Sequence, residues 1–365
     1  MDDNKCASDD GNGAASASAT SPSSSSNEKK TCGPREAKFA ALLNEKNVDL
    51  GRLSEASWTG IPRPFRAQVW QILLGYLPSK AERRDEVLAR KRREYRQNFV
   101  TQYYDAPNSA RSEADQRTLR QILVDVPRTL PELPIFQDDA VQKSMERILY
   151  IWSIRHPASG YVQGINDLVT PFYVAFLSAK VCGGDIALVK QMKRLQVAAL
   201  DDELMWQVEA DSYWCLTRLL DGIQDHYTFS QPGIQRMVFR LQDIVKRIDA
   251  PLYHHVESEG LNFMQFAFRW MNCLLLREMP LELVVRLWDT YTSEPAGGFD
   301  HFHVYVCAAL FVTWSEKLRS LQFQDLVMFL QALPTDGWSN DDVEALLSQA
   351  YILKTLFDRS PHHLA

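Results

Sequence analysis

No two of the six cysteines (Cys6, Cys32, Cys182, Cys215, Cys273 and Cys307) form a C-x-x-C pair, and no Cys/His cluster has metal-ligand spacing. A secretory signal is also lacking: Met1-Asp2-Asp3 is acidic and no apolar stretch follows it. Asp2 stands where N-myristoylation needs glycine, and no uninterrupted apolar run is long enough to span a bilayer. These absences predict a cytosolic chain with reduced thiols, reaching membranes only through partners. The net charge of −6 supplies no global positive field for nucleic acid or anionic lipid. The one basic run, Arg90-Lys91-Arg92-Arg93, sits among Glu and Gln and reads as a solvated helix face.

Self-contained catalytic signatures are missing as well. The chain has no G-x-x-x-x-G-K-[ST] phosphate loop, no H-E-x-x-H, no G-x-S-x-G elbow and no kinase set. His254-His255 and His301/His303 read as surface pairs, and Asp138-Asp139 and Asp201-Asp202 as helix-start charges. Strand-like alternation bounded by hairpin signals is scarce too. The periodicity that does occur is helical. In "VQKSMERILYIW", Val141, Met145, Ile148, Leu149 and Trp152 make one apolar stripe. Met237, Leu241, Ile244, Val245 and Ile248 make another, and "FAFRWMNCLLL" is apolar nearly all round.

What is present, then, is an all-α protein of 365 residues with a 45% apolar fraction, long enough for two lobes. Seven of the eleven residues from Ser16 to Ser26 are serine, so residues 1–36 read as a disordered low-complexity tail. Residues 37–205 form the expected N-terminal helical lobe and 206–365 the C-terminal one.

Two polar stretches stand out. In "ILVDVPRT", Pro127 breaks an apolar helix and an arginine follows it, three residues after Asp125. Arg128 could lock the helix end by pairing with Asp125, and Thr129-Leu130-Pro131-Glu132 fits an S/T-x-x-E start for a new helix. Alternatively the turn presents a planar guanidinium to phosphate oxygens. In "IRHPASGYVQGIND", Gln163 sits near a helix start, flanked by Gly160 and Gly164. Alone it reads as a cap or a loop contact.

Together, I-x-x-D-x-x-R and the later Y-x-Q-G resemble the TBC domain of Rab GTPase-activating proteins. "GIPRPFRAQVWQILLGYLP" (60–78), with Arg66 and Trp70, resembles that family's opening motif, and "FRWMNCLLLREMPLELVVRLWDTY" (268–291) its C-terminal motif. The stretch "EADSYWCLTRLLDGIQDHYTFSQPGIQRMV" is similar to the Golgi-associated branch. The likeness runs from about Gly51 to at least Glu294. The tail and the insert around 179–200 carry no motif.

The resemblance implies a two-lobed helical domain that activates a GTPase and has no self-contained active site. Arg128 would be an arginine finger and Gln163 a glutamine finger, both catalytic. Asp125 would hold the arginine loop, Tyr161 would position the glutamine turn, and Arg66 and Trp70 would support the cleft wall. Arg269, Trp270, Arg286, Trp288 and Asp289 would be core and ion-pair residues. The partner implied is a GTP-bound Rab, which brings its own GTP and Mg²⁺, so no cofactor is expected. Nucleic acid and direct membrane insertion are not expected. The apolar C-terminal helices leave room for a homodimer, and the setting implied is cytoplasmic, at Golgi or other endomembranes. The competing reading is a silent TBC-fold scaffold that binds Rabs without accelerating hydrolysis.

Overall fold

The periodic segments become helices because burying one apolar face stabilises them. Asp139–Arg155 carries the first stripe inward, with Val141, Met145, Ile148, Leu149 and Trp152 all buried. Its N-terminus is capped by Asp138, whose carboxylate accepts the Ala140 N–H at 2.9 Å. Pro232–Ile248 carries the second stripe, and only Ile248 at its end is less than fully covered. The computed structural model describes residues 33–295 and 297–358. Among them no strand occurs, and the β-type pairing present is one isolated bridge, Asn47 with Lys80.

Ile165–Val181 is the central helix, buried from Ile165 through Ser178. Asp202–Gly222 and Asp139–Arg155 pack on it from one side, and Arg66–Leu73 and Leu281–Ser293 from another. A second layer stacks Pro232–Ile248 on Met264–Asn272 and His303–Thr313, with Asn340–Phe357 outside them. Trp70, Trp152, Trp270 and Trp288 are all fully buried in this core. Each such ring removes roughly 150–250 Å² from water.

Several expectations are corrected by packing. The tail expected over 1–36 lies outside the described residues as far as residue 32. Pro34, Arg35 and Glu36 already belong to the Pro34–Leu43 helix, whose first position suits proline. The expected lobe boundary at 205/206 falls inside the continuous Asp202–Gly222 helix. The helix over "FAFRWMNCLLL" ends at Asn272, because Leu274 and Leu275 take left-handed backbone conformations (φ 49° and 63°).

No helix starts at Thr129 either. Its hydroxyl donates back to the Asp125 carbonyl at 2.9 Å, and Leu130 follows at φ 43°. The basic run is not wholly solvated. Arg92 makes two bonds to Asp211, at 2.9 and 2.7 Å, and the Lys91 ammonium lies 3.7 Å from the Trp214 ring centroid. His303, expected at the surface, is fully buried between the Tyr291 hydroxyl and the Trp270 carbonyl.

Candidate functional site

Helix Glu113–Asp125 begins with a capping box, Ser112 and Asp115 each accepting the other's backbone N–H. It ends where Pro127 can supply no N–H, and Val126–Arg128 tightens into a 3-10 turn. Val126 is buried and Pro127 and Arg128 are exposed, so the turn anchors on its first residue and throws the arginine outward. Asp125, fully buried, sits behind it. One carboxylate oxygen accepts from Gln121 at 3.1 Å and from the Arg128 guanidinium. The other accepts the Tyr161 hydroxyl at 2.8 Å. Burial and that bond push the Tyr161 pKa up, so the phenol keeps its proton and remains a donor.

Tyr161 opens the second turn. Its hydroxyl also reaches Asn166 at 3.4 Å, and Asn166 accepts the Gly164 N–H at 3.0 Å while donating to Thr129 Oγ1 at 2.9 Å. The arginine turn and the glutamine turn are thus tied through Asp125–Tyr161 and Thr129–Asn166. Gly164, at φ 110°, caps the central helix in a conformation that L side chains rarely adopt. A Cβ there would lie 2.2 Å from Asn272 Nδ2. Gln163, one residue earlier, is exposed.

The central helix adjusts to hold Asp167 below this turn. Pro171 cannot donate to the Asp167 carbonyl, and the Thr170 hydroxyl does so instead at 2.8 Å. The Asp167 carboxylate takes Arg277 Nε at 2.8 Å and the Cys273 thiol at 3.4 Å. Burial raises the pKa of Asp167 and Arg277 opposes that rise. Burial also pushes the Cys273 thiol up, so it is an inert donor and not a nucleophile.

Arg128 and Gln163 line one open cleft of about 750 Å³, together with Lys190, Arg277 and Asp336. Half of the Arg128 side-chain surface is accessible. Asp125 and Tyr161 lie directly behind these two residues. Arg66 and Trp70 do not line the cleft. Arg66 makes a fork to Asp289 (Nε–Oδ1 3.0 Å, Nη2–Oδ2 3.0 Å), and Trp70 Nε1 donates to the same carboxylate at 2.9 Å. The pair therefore clamps the Arg66–Leu73 helix to Leu281–Ser293, the helix whose first residue, Leu281, lines the cleft. Arg269 pairs with Glu278 and Arg286 with Glu344, while Trp270, Trp288 and Asp289 are buried.

The sequence reading missed Thr129, Asn166, Asn272 and Arg277 as contributors. Asn272 carried a usable signal, an amide inside an otherwise apolar run. The others depend on partners far away in the chain. Among the described residues no group of three His, Cys, Asp or Glu could hold a metal ion.

A buried polar lattice beneath a cleft with an exposed arginine and glutamine, on an all-helical frame, is the architecture of a TBC domain. The crystal structure of the Ypt/Rab-GAP domain of Gyp1p superposes with a TM-score of 0.82 at 46% identity, covering 88% of this chain and 98% of that one. A Chlamydomonas flagellar RabGAP TBC domain shares the fold at 18% identity, with a TM-score of 0.57. The profile of the Rab-GTPase-TBC domain matches residues 63–319, and the chain belongs to that family. Human TBC1 domain family member 22B is 51% identical over 330 residues, 90% of this chain and 63% of the relative. The GTPase-activating protein gyp1 of Schizosaccharomyces pombe is 48% identical over the same shares. The chain therefore spans about 63% of the length of these relatives.

Proposed function

We propose that this chain accelerates GTP hydrolysis by a Rab-family GTPase, supplying Arg128 as an arginine finger and Gln163 as a glutamine finger in trans. The observation that carries the reading is that both side chains point outward into one cleft from turns cross-linked by buried hydrogen bonds. Negative charge builds on the γ-phosphate and bridging oxygens as the bond to the leaving group loosens. A planar guanidinium can contact two of those oxygens at once. Gln163 orients the attacking water: its amide oxygen accepts a hydrogen bond from the water O–H and fixes the approach. Because the turns are held beforehand, little reorganisation is needed in the transition state. An arginine finger is worth roughly 10³–10⁵-fold in GTPases, or about 4–7 kcal/mol of barrier. The nucleotide and Mg²⁺ arrive with the partner.

Family membership and the likeness to proteins named as GTPase-activating support this reading. In it, action falls on the cytoplasmic face of Golgi or other endomembranes, reached through partners. No helix of the described residues is long and apolar enough to cross a membrane.

The test is phosphate release from a panel of GTP-loaded Rabs. Stimulation of one or a few is expected, falling by about 10³-fold or more in Arg128→Ala. Arg128→Lys should recover little, because lysine keeps the charge without the fork. If Gln163→Ala leaves the rate unchanged while binding persists, the GTPase's own glutamine positions the water. A folded chain that stimulates no Rab would be the silent scaffold.

A further inference from the structure

Gln163 is exposed, so its aim depends on the backbone of one short turn. One hold is local: Asn166 Oδ1, three residues further on, accepts the Gly164 N–H at 3.0 Å. The other hold comes from 109 residues away: Asn272 Nδ2 donates to the Gln163 carbonyl oxygen at 2.9 Å. Asn272 is itself nearly fully buried and fixed at both ends. Its Oδ1 accepts Gln231 Nε2 at 3.3 Å, and its backbone carbonyl accepts the Tyr227 hydroxyl at 2.8 Å. Gln231 Nε2 is held in turn by the His226 carbonyl at 2.9 Å. A carbonyl on one side and an amide donor on the other leave the Asn272 side chain a single workable orientation.

The close approach has been made possible by what is missing at the next position. Gly164 carries no Cβ, and one placed there would overlap Asn272 Nδ2 at 2.2 Å. The amide therefore occupies the space that any side chain after Gln163 would need. Within the Y-x-Q-G stretch, glycine serves the left-handed backbone and the docking of this amide together.

We infer that Asn272 is a positioning residue for Gln163: the C-terminal half of the chain sets the direction of the glutamine by gripping its carbonyl. This rests on the role proposed above for Gln163. Asn272 donates to the main-chain carbonyl of residue 163, so this hydrogen bond survives when the glutamine side chain is removed. A residue that merely pins two helical layers together would matter equally with or without that side chain. A residue that aims the glutamine would matter only when the glutamine is present.

The experiment is a double-mutant cycle, Asn272→Ala with Gln163→Ala, on the GTP-loaded Rab that responds most in the panel. Asn272→Ala should lower kcat by about ten- to a hundredfold, the scale for a misplacement near 1 Å, with KM changed by less than about twofold. In the Gln163→Ala background the same substitution should change kcat by less than about twofold. Equal losses in both backgrounds, or an unchanged kcat in Asn272→Ala alone, would overturn the inference. If Gln163→Ala alone has no effect, the glutamine finger itself fails and the inference falls with it, an outcome distinct from additive losses. Should Asn272→Ala fold poorly, Asn272→Ser keeps a polar group but draws it back from the carbonyl, and the same pattern is expected.

Discussion

Asp125 shows how one residue can be half legible. Its pairing with Arg128 follows from the three-residue spacing, since such neighbours share a helix face. Its bond to Tyr161 does not, because 36 residues separate the two. The ion pair itself adds little, as half of the Arg128 side chain is in water. The larger cost of losing Asp125 lies in Tyr161 and Gln121, donors that would be left facing a buried group without acceptors. In Asp125→Asn an NH₂ would replace one of those acceptor oxygens. The expected result is a loss of about 2–4 kcal/mol in denaturant unfolding. Stimulated hydrolysis should fall by about tenfold or more, because both finger turns loosen together.

At the scale of elements, Asp289 joins the beginning of the domain to its C-terminal motif. It is fully buried and accepts from Arg66, Trp70 and the Ile61 N–H at 3.0 Å. The family resemblance implies that Arg66 and Trp70 support the cleft wall. Their partner lies 223 and 219 residues away on a different helix, and no local pattern could name it. Asp289→Ala would strand a mostly buried guanidinium, and the unfolding free energy should drop by about 3–5 kcal/mol. Stimulated kcat should hold at temperatures where the variant stays folded, since Asp289 lies outside the cleft. A kcat loss matching that of Arg128→Ala would place this clamp in the catalytic site after all.

At the scale of the whole molecule, acid stability carries the mark of buried histidines, His303 with His226, and His303 shows the effect. His303 accepts at Nδ1 from the Tyr291 hydroxyl at 2.7 Å, and its Nε2–H donates to the Trp270 carbonyl at 3.0 Å. Burial pushes its pKa down to about 3. In the unfolded chain the ring takes a proton near pH 6.5, so below that pH the unfolded state binds one more proton than the folded state. Stability present above about pH 6.5 is then lost toward pH 3 at about 1.4 kcal/mol per pH unit. Between pH 7 and 5, wild type should lose about 2 kcal/mol more than His303→Gln in denaturant titrations. Equal losses would mean that the folded state also takes up the proton.

The sequence by itself determined the helical class, the inward stripes of Asp139–Arg155 and Pro232–Ile248, and the breaks in the chain at Pro127 and Gly164 beside Arg128 and Gln163. These follow from local causes: a 3.6-residue period, a proline without an N–H, and a glycine able to take positive φ. Tertiary structure alone decided where the "FAFRWMNCLLL" helix stops, that Thr129 closes one helix instead of opening another, and that His303 is buried. It also decided that Arg66 serves Asp289 and that Asn272 grips the Gln163 carbonyl. The outcomes at His303, Arg66 and Asn272 each depend on a hydrogen-bond partner distant in sequence. Which carbonyl or carboxylate a buried donor meets is set by how helices cross, and that crossing is a property of the packed core as a whole.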